Sequence, residues 1–224
     1  MAMSVNSTIQ IMDVALNDQT LTIYFHIIVI TALIAILIVV LAIFYLIRKY
    51  YLKTKYDLVE LNLNIRGPSL KYKIDRNYEN LEIAYKIYIE LTTRKAAIPI
   101  DVNYDVIVEI YNSWYELFKI TRLEIKKISG RTLKEDPHSE ELVKMATDIL
   151  NLGLRPHLTK YQATFRKWYD ESIKDPRNIG KSPQQIQKEF PQYTDLISDL
   201  IEVTNVLIEY KLQLEAFISN KKGK

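Results

Sequence analysis

The 224-residue chain contains no cysteine. This excludes disulfides, thiolate zinc sites, iron–sulfur clusters and thiol nucleophiles. Glycine and proline are scarce, five and seven, so a low-complexity tail or linker is not expected. The only histidines are His26, His138 and His157, and no two of them have metal-ligand spacing. Before residue 48 there is no Lys or Arg, and from Tyr24 to Ile47 there is no charged residue of either sign.

That last absence organises the chain. Twenty-four uncharged, mostly apolar residues make a helix of roughly 36 Å, enough to cross a hydrocarbon core of about 30 Å with some tilt. A helix apolar on every face for this length is a membrane-span candidate, placed at 22–47. Arg48, Lys49, Lys53 and Lys55 follow at once, whereas only Asp13 and Asp18 precede it. The positive-inside rule then puts the short N-terminus, 1–21, outside and residues 48–224 in the cytoplasm of a single-pass inner-membrane protein. Tyr24, Phe25 and His26 at one end, and Phe44, Tyr45, Tyr50 and Tyr51 at the other, fit interfacial belts. Thr31, Ala35 and Ala42 form a thin small-residue stripe along one side. All 30 Lys and Arg and 25 of the 27 acids lie beyond residue 47, a formal +5 that suits an anionic leaflet and does not by itself call for nucleic acid.

Beyond the span the hydrophobic period changes. Val59, Leu61, Leu63 and Ile65 alternate with polar residues, as do Leu70, Tyr72 and Ile74, on either side of Arg66-Gly67-Pro68-Ser69. That is a β-hairpin at about 58–75, which must pack on helices or pair with another chain. The remainder reads as helices. One is capped by Asn77 and runs to about Ala97, with Leu81, Ala84, Tyr85, Tyr88, Leu91 and Thr92 on its face. The next starts at Asp101 and runs to about Ser129, with Ile107, Ile110, Tyr111, Trp114, Leu117, Phe118, Thr121, Ile125 and Ile128 inward. Another opens at Asp136-Pro137 and ends near Gly153, and a fresh one starts at Leu154-Arg155-Pro156. Ser182-Pro183-Gln184-Gln185 is a capping-box start. The last helix, from about Gln192 to Ser219, carries Leu196, Leu200, Val203, Leu207, Tyr210, Leu214 and Phe217 at spacings of four and three. These make three heptads of a seam that serves either a bundle core or a coiled coil with a second chain. The expected fold is therefore mainly α: one N-terminal transmembrane helix, then a cytosolic helical bundle with one hairpin.

Candidates for chemistry are few. Asp175 to Ser182 has the Gly-Lys-Ser ending of a phosphate loop, but its first position is Asp and a helix precedes it. Asp101, Asp105 and Glu109 at i, i+4 and i+8 would share a helix face, without the Glu-x-x-His partners of a helical metal site. His157 beside Arg155 is a conceivable acid–base group. From Leu154 to Glu171, Arg155, His157, Lys160, Arg166 and Lys167 interleave with Tyr161, Phe165, Trp168 and Tyr169. Cations alternating with rings can hold phosphates or stack single-stranded nucleic acid, or else the rings are core and the cations a solvated edge.

The segments NYENLEIAYKIYIELTTRKAAIPID, VIVEIYNSWYELF and GLRPHLTKYQATFRKWYD, with GKSPQQIQKEFPQY, resemble a family of uncharacterised bacterial proteins with one N-terminal span and a helical cytosolic part. The resemblance implies that architecture and a place near mobile or antiviral defence loci; no activity comes with it. Three expectations follow for function. The first is a membrane-anchored, non-enzymatic interaction or effector protein that self-associates or binds a cytosolic protein partner, with the bilayer as its other partner. The second is a membrane-tethered nucleic-acid or nucleotide sensor. The third is an enzyme with an unrecognised site. No cofactor is indicated.

Overall fold

A computed structural model describes residues 26–49 and 57–219. They fall into two separate units divided after Lys55. Tyr24, Phe25, Tyr50, Tyr51, Lys53, Lys55 and the N-terminal segment lie outside the described residues.

In the first unit, α1 spans His26–Lys49, 24 residues of high mean hydropathy, 3.5, with none of the apolar window buried by protein. Arg48 and Lys49 form its last turn. By length and composition it is able to cross a membrane.

The second unit is mainly helical around one two-stranded antiparallel hairpin. β1 (Leu58–Asn64) pairs with β2 (Ser69–Asp75) in the register Leu61↔Tyr72 and Leu63↔Leu70. Alternation puts Leu61, Leu63, Tyr72 and Ile74 on the buried face. The turn needs left-handed backbone at Arg66 (φ 50°) and Gly67 (φ 120°). Both outer edges of the hairpin are blunted by side chains. The outward N–H of Asn64 donates to Glu209 Oε1 (3.1 Å) and that of Asn62 to Gln213 Oε1 (3.4 Å), while a His138 ring nitrogen lies 3.2 Å from the Lys73 carbonyl. Of the two alternatives, packing on helices is the one the fold uses, and these ladder groups are engaged within the chain.

The helices follow as α2 (Tyr78–Thr93), α3 (Ile107–Ile125), α4 (Gly130–Glu135), α5 (Pro137–Asp148), α6 (Arg155–His157), α7 (Ala163–Lys174), α8 (Pro183–Gln187) and α9 (Tyr193–Ser219). Asn77, Asp136 and Ser182 cap α2, α5 and α8 as their sequence positions predict, the last in a reciprocal capping box with Gln185.

Four expectations are corrected. First, α2 ends at Thr93, ahead of Pro99, and buries Asn80, Ile83, Ala84, Ile87 and Leu91. Tyr85 is turned out, since a tyrosine can leave its hydroxyl in water while Ile83 and Ile87 cannot profit from doing so. Second, Asp101 does not cap α3. It closes a turn with Asn103 and Tyr104, and Asp105 pairs with Lys95 at 2.8 Å, so the acids share no helix face. The cap of α3 comes from far away: buried Gln187 accepts from Ile107 N–H (3.0 Å) and donates to the Asp105 carbonyl (2.9 Å). Third, the chain does not break between α5 and α7. Residues Ile149–Leu154 and Leu158–Gln162 are π-helical turns flanking α6. The wider turn runs the Arg155 N–H back to Leu150 O, and such looser turns accommodate a proline within a helix that strict i→i+4 bonding would not.

Fourth, the seam of α9 is closed. Leu196, Leu200, Val203, Leu207, Tyr210, Leu214 and Phe217 are all buried, none more than 1% exposed. They pack against the hairpin and α2. The reading of these seven as a site for a second chain is corrected: they are buried within the chain, where α9 covers the β1 side of the hairpin and α5 covers the β2 side.

Candidate functional site

α5, its π-helical continuation and α7 carry Arg155, His157, Lys160, Arg166 and Lys167, and the fold sends them to different places. His157 points inward and is fully buried. Its Nδ1 lies 2.6 Å from Asp199 Oδ2 on α9, and its Nε2 lies 3.0 Å from the Tyr111 hydroxyl on α3. Trp114 and Tyr161 close over the ring at centroid distances of 5.4 and 5.2 Å. Asp199 also pairs with Arg66 of the hairpin turn. This string of Tyr111, His157, Asp199 and Arg66 joins four elements through polar atoms. A carboxylate accepts only, so His157 as neutral imidazole donates from Nδ1 and accepts at Nε2 the hydrogen bond of the Tyr111 hydroxyl. Burial holds His157 below its ordinary pKa, opposed by the Asp199 carboxylate. Burial pushes the Tyr111 hydroxyl well above its own. His157 as an anion contact is therefore corrected: it is sealed behind rings and committed to a carboxylate.

The aromatics of this stretch are corrected in the same way. Tyr161, Phe165 and Tyr169 are core. Phe165 stacks on Tyr169 and meets Phe190 edge-on. Rings so placed cannot stack on bases; Trp168, the fourth ring of the stretch, is half-buried against Phe190. The cations remain outside. Lys160 lies over Tyr161. Arg166 donates to Asn112 Oδ1 (2.7 Å) and lies over the Tyr115 ring. Lys167 borders a shallow concavity with Trp168 and Glu171.

Arg155, two residues before the inward His157, faces a groove between α3 and the π-helical stretch. A cavity of about 690 Å³ is lined by Tyr115, Phe118, Lys119, Arg122, Arg155 and Gln162, among others. A second, of about 400 Å³, shares Phe118, Arg122 and Arg155 and adds Ile125, Lys126 and Asn151. One wall is the i, i+4 run of Phe118, Arg122 and Lys126. The other is Asn151, Arg155 and Gln162. Arg155 is doubly held: its Nε donates to Asn151 Oδ1 (3.0 Å), and its guanidinium lies 5.5 Å above the Phe118 ring. Lys119 is balanced by Glu116 at 3.3 Å. Arg122, Lys126 and Arg155 have no carboxylate partner among the described residues.

Sequence reasoning found Arg155 and missed Arg122 and Lys126. Their signal was present, two cations flanking a predicted apolar stripe. What brings them to Arg155 is the helix pairing, which no local pattern encodes. Among the described residues no group of His, Asp and Glu is gathered in a way that could hold a metal ion. Comparison of the chain with family models, with curated proteins and with solved structures found no match.

Proposed function

We propose that the protein is a membrane-anchored, non-enzymatic interaction or effector protein. α1 crosses the inner membrane with the N-terminus outside, and the helical unit works in the cytoplasm by binding a protein partner or a second copy. The observation that carries the reading is α1 itself: 24 residues, no part of its apolar window covered by the protein, with cations gathered at its C-terminal end. An apolar surface of that extent needs lipid to cover it, and Arg48 and Lys49 favour the cytoplasmic side. With the α9 seam closed, association has to use α1 or exposed helix surfaces.

The natural lack of cysteine makes the topology directly measurable. Single Ser4→Cys and Ser219→Cys variants are exposed, in intact cells, to a membrane-impermeant maleimide. Labelling at position 4 alone is expected, and labelling at 219 alone overturns the orientation. Exchanging α1 for an unrelated apolar helix then separates anchoring from a more active membrane role. Crosslinking in native membranes tests the interaction itself: monomers only, with pull-downs recovering nothing, would count against it.

A further inference from the structure

The groove between α3 and the π-helical stretch has a chemistry that membrane anchoring does not require. Arg122 and Arg155 face its shared part from two walls, and Lys126 lines the smaller cavity beside them. None of the three pairs with a described carboxylate, and Glu116, which lines the larger cavity, is matched by Lys119. Arg155 is fixed before any ligand arrives, so its terminal nitrogens are presented with little ordering left to do, and a rigid guanidinium fork matches phosphate oxygens. Arg122 and Lys126 stand one turn apart on the opposite wall. A carboxylate would satisfy one such cation and leave the others repelling. A phosphate, with several accepting oxygens and up to two charges, can engage all three. Beneath them Phe118, Ile125, Leu150 and Leu158 give an apolar floor, and the cavity lies in the size range of small-molecule sites. The two π-helical turns beside it are a backbone form found often at functional sites.

We propose that this groove is a receptor for a phosphate group carried on a small apolar body, with the phosphate in the smaller cavity lined by all three cations, Arg155 as the fixed anchor and Arg122 and Lys126 on the facing wall. The proposal is independent of the anchored-interaction reading. A polynucleotide is disfavoured, because successive bases need several open rings: Tyr161, Phe165 and Tyr169 are core, Phe118 is already under Arg155, and Tyr115 alone is exposed among the rings lining the groove. The phosphate can belong to a soluble metabolite or to a lipid headgroup, and two probes distinguish them.

The full chain in phosphatidylcholine nanodiscs is titrated calorimetrically, at fixed ionic strength, with inorganic pyrophosphate and, separately, with dihexanoyl phosphatidic acid held below its micelle concentration. Saturable binding of at least one probe is expected. It should weaken about tenfold or more in Arg155→Gln, the loss of one charge-assisted contact, and similarly in Arg122→Gln/Lys126→Gln, but be unchanged in Lys167→Gln. Arg122 and Lys126 are exposed and unpaired, so their double variant carries the test even if Arg155→Gln fails to fold. Tighter binding of the short-chain lipid places the source in the bilayer, and tighter binding of pyrophosphate places it in solution. The proposal is overturned if neither probe saturates, or if Lys167→Gln weakens binding as much as the groove variants do.

Discussion

Replacing Asp199 by Asn tests whether the buried polar string holds the helical unit together. The exchange is nearly isosteric, so packing is kept and only charge and donor pattern change. In the native fold one carboxylate oxygen accepts from His157 Nδ1 at 2.6 Å and the other meets Arg66, with side chains only 16% and 22% exposed for Asp199 and Arg66. An asparagine can keep one acceptor. Its amide must then face either the His157 N–H or the Arg66 cation, donor against donor. Losing one charge-assisted hydrogen bond costs about 1.5–3 kcal/mol. Leaving Arg66 largely covered and without its main partner raises the total to about 3–4 kcal/mol, toward the lower part of the range for breaking a buried pair. For a unit of this size each kcal/mol lowers Tm by about 2–4 °C, so a fall of roughly 10 °C is expected. The assay is thermal unfolding of the full chain in detergent, followed by the emission of a Trp168→Phe background in which Trp114, whose ring packs edge-on against His157, is the one tryptophan. Glu202, 3.6 Å from Arg66 but with a 53% exposed side chain, is the control, and Glu202→Gln should cost under about 1 kcal/mol. A shift in Asp199→Asn of less than about 2 °C, or one equal to the control's, would show that the string contributes packing and not polar cohesion.

Other consequences are open to measurement. Because burial depresses the folded-state pKa of His157, the unfolded chain takes up the proton first. Stability is then full above about pH 6.5 and is lost as pH falls from there. Between about pH 7.5 and 5.5 the wild type should lose more stability than His157→Gln, and parallel curves would refute this. Leu207→Ala should destabilise by about 2–5 kcal/mol as a core cavity without altering the crosslinked stoichiometry in membranes; dissociation of an otherwise folded oligomer would return the α9 seam to an intermolecular role. Gly67→Ala, at a backbone φ of 120°, should cost on the order of 1 kcal/mol, read as a lower denaturant midpoint at unchanged slope.

Much of the fold was legible because it is written in local periods. The change from period two to period four marks the hairpin and the helices, and Asn77, Asp136 and Ser182 announce their helices by cap chemistry alone. The apolar span needs only its composition. What stayed hidden depends on partners distant in sequence. The cap of α3 is a glutamine 80 residues away. The α9 heptads specify a seam but not its occupants, which are α2, β1 and the first π-helical turn. Pro156 reads as a break until π-helical geometry absorbs it. For the candidate site, Arg155 was found for an incomplete reason, since the rings beside it in sequence are core, and the ring under its guanidinium is Phe118 on another helix.

The covering of the hairpin by α9 also fixes an order in time. Asn64 and Glu209 are 145 residues apart, so the strands made soon after the span are completed by a helix made almost last. At synthesis rates of about 5–20 residues per second the hairpin waits roughly seven to thirty seconds for α9. During that interval α5 is made and can cover β2, but the β1 side and the outward N–H groups of Asn62 and Asn64 still lack α9. No N-terminal part of this unit can finish folding early and release the rest to follow. A chain interrupted before Tyr193 keeps α1 and a hairpin whose β1 side is uncovered, and is the species most prone to aggregate.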